Sequence, residues 1–308
     1  MWAVIIIVCV IIIALFLLGI SLYFYNVGIR RSKKDFLEVD PNLIKIEHPW
    51  ESAEGWLKDQ PMEVVSMKSD DGLLLKAYYV PALKPSTKTV ILAHGYGGAG
   101  REMAAFAKLY QDMGYNALMP DDRGHGDSEG SYIGFGWHDR LDYKQWIQYI
   151  IQKNGPEVQI VLQGVSMGGA TVLMTSGESL PEQVKCVVSD CAYTSARDIL
   201  THQLKQMYKL PPFPLLSVTS LVCKIKAGYY FGEASALAQV AKTHLPILFI
   251  HGDEDTFVPY PMVHTLYGAA AGEKELLVVK GALHGNAYFT DKEAYGNKLR
   301  GFLNKYIS

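Results

Sequence analysis

Charge is scarce in this chain. Only 19% of the 308 residues are charged, and 29 Lys and Arg nearly balance 31 Asp and Glu, for a net charge of −2. The chain therefore lacks the basic excess on which nucleic-acid binding draws, and no nucleic-acid partner is expected. With 49% apolar residues it also lacks the polarity of a disordered segment. Cysteine is sparse, four residues in all, too few for a disulfide scaffold. A chain of this length has room for one large domain or two ordinary ones and can bury a sizeable core without staples. No internal repeat is present, and no low-complexity tract outside the N-terminus. The glycine-rich run at 94–98, HGYGG, contains neither G-x-x-x-x-G-K-[ST] nor G-x-G-x-x-G, so a phosphate cradle is a weak reading of it.

The sharpest absence is local: no Asp, Glu, Lys or Arg precedes Arg30. Residues 2–25 read WAVIIIVCVIIIALFLLGISLYFY, 24 residues without a charge, long enough as a helix to cross a hydrocarbon core of about 30 Å. Tyr23 and Tyr25 stand where an interfacial aromatic belt would be. A cleaved signal peptide would need a basic start, a shorter apolar stretch and a small-x-small site; Met-Trp-Ala and the bulky aromatic end offer none of these. A single-pass membrane anchor is expected over residues 1–29. Arg30, Arg31, Lys33 and Lys34 follow it, which by the positive-inside rule favours the large domain on the cytoplasmic side over the outside. Beyond Cys9 in the span, Cys186, Cys191 and Cys223 make an odd number of thiols, a further hint against a disulfide-bonded exterior.

Residues 30–61, with Pro41, Pro49 and Pro61 as breakers, read as a linker and an approach to a domain over 62–308. Segments 63–67 and 73–80 flank Asp70-Asp71-Gly72 as a hairpin. Short apolar strands are expected at 89–93, 116–119, 158–163, 184–188, 246–250 and 275–279. Helices are expected at 102–113, 136–153, 167–178, near 260–270 and from about 291. Two leading antiparallel strands followed by strand–helix units imply an α/β fold, a mostly parallel central sheet with helices on both faces. Residues 193–243 break the rhythm with helix-like stretches and the Pro-rich turn LPPFPL at 210–215. They are either an ordinary helical connection or a lid over the carboxyl ends of the strands, where ligands bind in such sheets.

G-x-S-x-G occurs twice, at 164–168 around Ser166 and at 126–130 around Ser128. A nucleophile elbow must end a buried strand and begin a helix. Ser166 has that context, with VQIVLQ before it and MGGATVLM after; Ser128 sits among Asp121, Asp122, Arg123, His125, Asp127 and Glu129 and lacks it. A serine hydroxyl needs a positioned base, and on such a sheet the order is serine, acid, histidine. After the strand at 246–250 comes Asp255, and after the strand at 275–279 comes His284, so both loops would meet at one end of the sheet. Asp253 is a rival acid that could instead hold its turn through backbone bonds, and Asp190 is a second alternative. His94, His125 and His251, each before a glycine, read as loop-shaping groups. Backbone N–H donors for a developing oxyanion are expected at Met167 and, from the 94–98 loop, at Tyr96.

From about residue 62 onward the chain resembles the α/β-hydrolase superfamily. The resemblance is carried by HGYGG at 94–98, DDRGHGDSEG at 121–130, GVSMGG at 164–169, HGDEDTFVP at 251–259 and GALHG at 281–285. Within that superfamily it is similar to single-span membrane-anchored hydrolase-domain proteins and bacterial esterase-like serine hydrolases. The resemblance implies Ser166, Asp255 and His284 as a catalytic triad, Tyr96 and Met167 as oxyanion-hole donors, and 123–126 as a structural loop beside the site. A serine hydrolase of carboxylesterase or lipase type is therefore expected, acting on ester or thioester substrates, lipid-like ones included, without metal or organic cofactor. A peptidase with the same triad and an inactive scaffold are the alternatives.

Overall fold

The structure is a computed structural model describing residues 1–34, 43 and 49–308. Most of the expected linker, residues 35–42 and 44–48, lies outside the described residues.

An apolar helix, α1 (Trp2–Gly28), opens the chain, and α2 (Pro49–Lys58) precedes the sheet with proline at its first position. Eight strands follow: β1 (Glu63–Lys68), β2 (Leu74–Val80), β3 (Lys88–Ala93), β4 (Asn116–Pro120), β5 (Gln159–Val165), β6 (Val184–Asp190), β7 (Ile247–Gly252) and β8 (Lys274–Val279). They form one sheet in the order β1-β2-β4-β3-β5-β6-β7-β8. β1 pairs antiparallel with β2 and β2 with β4, and the other pairings are parallel.

Helices α3 (Ala104–Asp112), α4 (Asp139–Asn154) and α5 (Met167–Ser176) connect the first parallel strands. The central strands are buried on both faces, so the sequence shows unbroken runs such as TVILA and IVLQ rather than alternation. One face packs Trp146, Ile147 and Val172; the other packs Phe106, Tyr110 and Phe302. The fold expected from sequence is the fold observed, with boundaries moved by a few residues. The helix expected at 102–113 begins as a 3-10 turn, Gly100–Met103, and the one expected at 136–153 starts at Asp139.

Between β6 and β7 lie α6 (Ala196–Tyr208), α7 (Leu215–Ala227) and the short α8 (Ala236–Val240). After β7 come α9 (Pro261–Ala269), β8, the four-residue α10 (Ala287–Thr290) and α11 (Lys292–Tyr306).

α1 does not stand apart from the domain. Tyr25 and Ile29 are buried in the core on the α4 side of the sheet, and α1 packs along α7. Its exit is stitched to the loop before α4. The Ile133 N–H donates to the Ile29 carbonyl (2.7 Å) and the Arg31 N–H to the Ser131 carbonyl (2.9 Å). The Arg31 guanidinium donates to the carbonyls of Ser128 (2.6 Å) and Gly126 (2.7 Å). Lys34 turns back and donates to the carbonyls of Val27 (2.6 Å) and Arg30 (2.9 Å), capping the negative end of the helix.

The same loop, 121–135, meets several other parts of the molecule. Arg123 pairs with Asp71 of the hairpin turn and with Asp142 of α4. The hydroxyl of Tyr229 donates to the Ile133 carbonyl and that of Tyr193 to the Phe135 carbonyl.

Candidate active site

β5 runs into a tight turn at Ser166. Ser166 takes φ 57° and ψ −116°, a conformation that L-residues rarely adopt and that lifts the side chain above the sheet. The turn is held because its neighbours are glycine. A Cβ at Gly164 would collide with the backbone of Gly168, and one at Gly168 with the Ala93 carbonyl at the end of β3. The Ser166 N–H donates to the Asp190 carbonyl (2.9 Å), tying the turn to the end of β6.

The loops after β7 and β8 bring the other two groups to this turn. His284 Nε2 lies 2.8 Å from Ser166 Oγ, and His284 Nδ1 lies 2.8 Å from Asp255 Oδ2. Asp255 is fully buried in its side chain and fixed from both oxygens. Oδ1 accepts from the N–H groups of Phe257 (3.0 Å) and Val258 (2.9 Å); Oδ2 is shared with His251 Nε2 at 3.1 Å. Burial opposes ionisation of this carboxyl, but the charge of His284 and the hydrogen bonds from both imidazoles outweigh it and hold Asp255 well below the usual carboxylate range. Phe257 packs on the His284 ring with centroids 4.9 Å apart.

The rivals weighed from sequence have other partners. Asp253 Oδ1 accepts from the Gly281 N–H (2.6 Å), bridging two loops. Asp190 is buried at the end of β6, where burial raises its carboxyl to about 7, and neither of its oxygens bonds an imidazole. Ser128 is buried, its hydroxyl donating to the Asp121 carbonyl (2.7 Å) and accepting from the Lys76 N–H (2.8 Å). His251 proves closer to the chemistry than a loop-shaping reading suggests, because it grips the oxygen that faces His284.

The loop after β3 lies over Ser166: a Cβ on Gly95 would sit 3.7 Å from Ser166 Cβ. Two imidazoles brace it. His94 Nε2 accepts from the Asp122 N–H (3.0 Å) and His125 Nε2 from the Gly97 N–H (3.4 Å), with the rings 4.9 Å apart. Burial, helped by the neighbouring His94, pushes His125 well below the usual imidazole range, which keeps Nε2 an acceptor. Tyr96 and Met167, the expected oxyanion donors, flank Ser166 on this loop and at the first position of α5. A helix's first N–H groups have no acceptor within the helix.

Cys191 Sγ, an Asp255 oxygen and a His284 nitrogen lie within 4.8 Å of one another. They make a poor metal site. Both His284 nitrogens are engaged, and burial raises the Cys191 thiol well above its usual range, away from the thiolate that binds metals.

Ser166 opens into a cavity of about 910 Å³, counted with its mouth. Its lining is almost wholly apolar and includes no Asp, Glu, Lys or Arg. α6 and α7 supply much of the wall, and α6 is pinned to the acid loop where Gln203 donates to the Phe257 carbonyl (2.8 Å). One part of the wall was not legible in the sequence: Phe24, Val27, Gly28 and Ile29, from the end of α1, line the same cavity. The Tyr96 hydroxyl donates to the Gly28 carbonyl (2.8 Å), joining α1 to the loop over Ser166.

Comparison with known proteins agrees with this architecture. A family model described as the alpha/beta hydrolase fold matches residues 88–213. The uncharacterized protein YqkD of Bacillus subtilis is 28% identical over 232 residues, 75% of this chain and 76% of that protein. The lysophosphatidylserine lipase ABHD12 of Danio rerio is 26% identical over 206 residues, 65% of this chain and 51% of its own length. Among solved structures, the Pyrococcus furiosus esterase Pf2001 superposes with a TM-score of 0.66 at 25% identity, covering 81% of this chain and 92% of that one.

Proposed function

We propose that this chain, an α/β-hydrolase-fold protein with esterases among its structural neighbours, is a membrane-anchored serine hydrolase that cleaves carboxylic esters or thioesters through an acyl-enzyme. The observation that carries the reading is the continuous chain of contacts Ser166 Oγ–His284 Nε2 and His284 Nδ1–Asp255 Oδ2, each 2.8 Å, at the floor of an apolar cavity.

Ser166 Oγ attacks the substrate carbonyl carbon while its proton passes to His284 Nε2. Asp255 keeps the Nδ1–H tautomer and stabilises the imidazolium. The carbonyl oxygen becomes an oxyanion resting on the N–H groups of Tyr96 and Met167. The bond to the leaving group breaks as His284 returns the proton to it, leaving the acyl group on Ser166. Water, deprotonated by His284, then attacks the ester and releases the acid, and the proton goes back to Ser166. The uncharged cavity suits the hydrocarbon part of an acyl group.

The anchor belongs to this proposal. Its window of mean hydropathy 3.6 satisfies the length and composition of a span, and a signal sequence would satisfy them too. Burial of Tyr25 and Ile29 in the domain favours retention, since cleavage would strip part of the core. We place the domain on the cytoplasmic side from the positive charges that follow α1.

The test is Ser166→Ala in the full chain, assayed on p-nitrophenyl acetate and with a fluorophosphonate probe. Turnover is expected to fall by about 10³-fold or more and labelling to vanish. Labelling that persisted at Ser128, or turnover left unchanged, would refute the assignment. A peptide substrate run in parallel separates an esterase from a peptidase.

A further inference from the structure

α1 contributes more than location. Residues 2–20 are almost all exposed, 19 residues that rise about 28 Å as a helix, close to the hydrocarbon thickness of a bilayer. The next turns leave that span and become part of the domain: Ser21 and Tyr25 are buried, and Phe24, Val27 and Gly28 line the cavity that contains Ser166. The cavity wall therefore begins where the spanning length ends.

α7, which packs along α1, points to the same boundary. Its outward residues Leu221 and Ile225 are 49% and 76% exposed, and Phe213 in the preceding turn is 76% exposed. Lys224 and Lys226 accompany them on the same helix. Exposed apolar side chains beside lysines, held against a spanning helix, are the pattern of an element seated at the headgroup boundary. Phe24 of α1 and Tyr208 of α6 meet edge to face at 4.9 Å, so aromatic rings face each other across the seam between α1 and α6.

We infer that the substrates are long-chain acyl esters resident in the bilayer, whose chains enter between α1 and the helices α6 and α7, and that Phe24, Val27 and Gly28 set the chain length accepted. The inference rests on the serine-hydrolase reading above. A chain that reaches Ser166 along this wall stays in apolar surroundings throughout. The same ester arriving through water would first have to leave the membrane and expose every CH₂ of its chain to solvent. Gly28 is the most informative position. A Cβ there meets no atom within 4 Å, so an added side chain finds open space at the cavity rather than a clash.

The experiment uses the full chain in phosphatidylcholine nanodiscs with p-nitrophenyl acetate and p-nitrophenyl palmitate. The readout is the palmitate-to-acetate ratio of kcat/KM. Gly28→Phe is expected to lower this ratio at least tenfold. Phe24→Ala, which widens the wall, is expected to restore part of it when combined with Gly28→Phe. At fixed total substrate, adding more nanodisc lipid is expected to slow palmitate hydrolysis in proportion to its dilution in the bilayer. Fluorophosphonate labelling confirms that each variant keeps a working site. A ratio indifferent to Gly28→Phe in a labelled enzyme, or a palmitate rate indifferent to dilution, overturns the inference while leaving the hydrolase reading intact. Wild-type protein that neither turns over acetate nor takes the probe would sink the hydrolase reading itself.

Discussion

Asp255→Asn isolates the electrostatic part of the proposed mechanism with little change of shape. In the native chain Oδ1 is held by two backbone N–H groups, those of Phe257 and Val258. An asparagine would keep its oxygen there, because both partners are donors. Its amide nitrogen must then occupy the place of Oδ2, facing His284 Nδ1 at 2.8 Å and His251 Nε2 at 3.1 Å. Two imidazole nitrogens that donate to a carboxylate would now meet a donor. His251 Nε2 also faces the Val258 carbonyl at 3.0 Å and can keep its proton by donating there. Among the described residues no second acceptor faces His284 Nδ1, so its proton moves to Nε2, where it points at Ser166 and blocks proton uptake. A fixed wrong tautomer costs about 10⁴-fold in kcat in enzymes with this triad, or roughly 5.4 kcal/mol of activation free energy. The assay is acetate-ester turnover and fluorophosphonate labelling rate across pH, with the thermal midpoint measured alongside. Because the backbone contacts to Oδ1 survive, the fold is expected to persist while both rates collapse. A loss of less than tenfold in a folded Asp255→Asn protein would show that His284 does not depend on this carboxylate.

Two further outcomes follow from packing and burial. Gly168→Ala would drive a Cβ into the Ala93 carbonyl and to within 2.7 Å of the His94 carbonyl, a backbone-to-backbone conflict that no rotamer relieves. It should cost about 1–3 kcal/mol in thermal unfolding, whereas Gly268→Ala, with no atom within 4 Å of the added carbon, should cost nothing or stabilise; equal effects would contradict the packing argument. Asp139 is fully buried, and burial, reinforced by the nearby Asp122, raises its carboxyl to about 8, so it is protonated in the folded state at neutral pH. Its folded value lies above the unfolded one of about 3.9, so this group's contribution is complete in acid and is lost as pH climbs towards 8. Asp139→Asn should therefore gain thermal stability relative to wild type between pH 5 and pH 9, and a difference constant across that range would refute the assignment.

The fold was legible because its signals are periodic and local. Unbroken apolar runs mark strands covered on both faces, and the DDG turn at 70–72 sits between β1 and β2 as expected. Ser166, Asp255 and His284 were legible as neighbours because each follows a strand whose carboxyl end lies at one edge of a parallel sheet. The part played by the end of α1 was not. Hydropathy scores Val27 like Val4, although one lines the cavity and the other is 63% exposed. Arg31 and Lys34 read as flanking charges that orient a span; in the structure Lys34 caps the helix it follows, and Arg31 clamps a loop through contacts to residues 126 and 128 that no local pattern announces. His251 escaped for a similar reason, since its link to Asp255 Oδ2 depends on the fold of the acid loop and not on its place before a glycine.

The segment from Asp121 to Phe135 has almost no regular secondary structure, yet it is bonded to the hairpin turn through Arg123, to the loop over Ser166 through His125, to the segment after α7 through Tyr229 and to the exit of α1 through Arg31. Surface connections usually absorb insertions and nicks. Here a cut would release four neighbours at once, so library screens of random peptide insertion or circular permutation should find this stretch as intolerant as the central strands, and engineers wishing to graft a tag should look elsewhere.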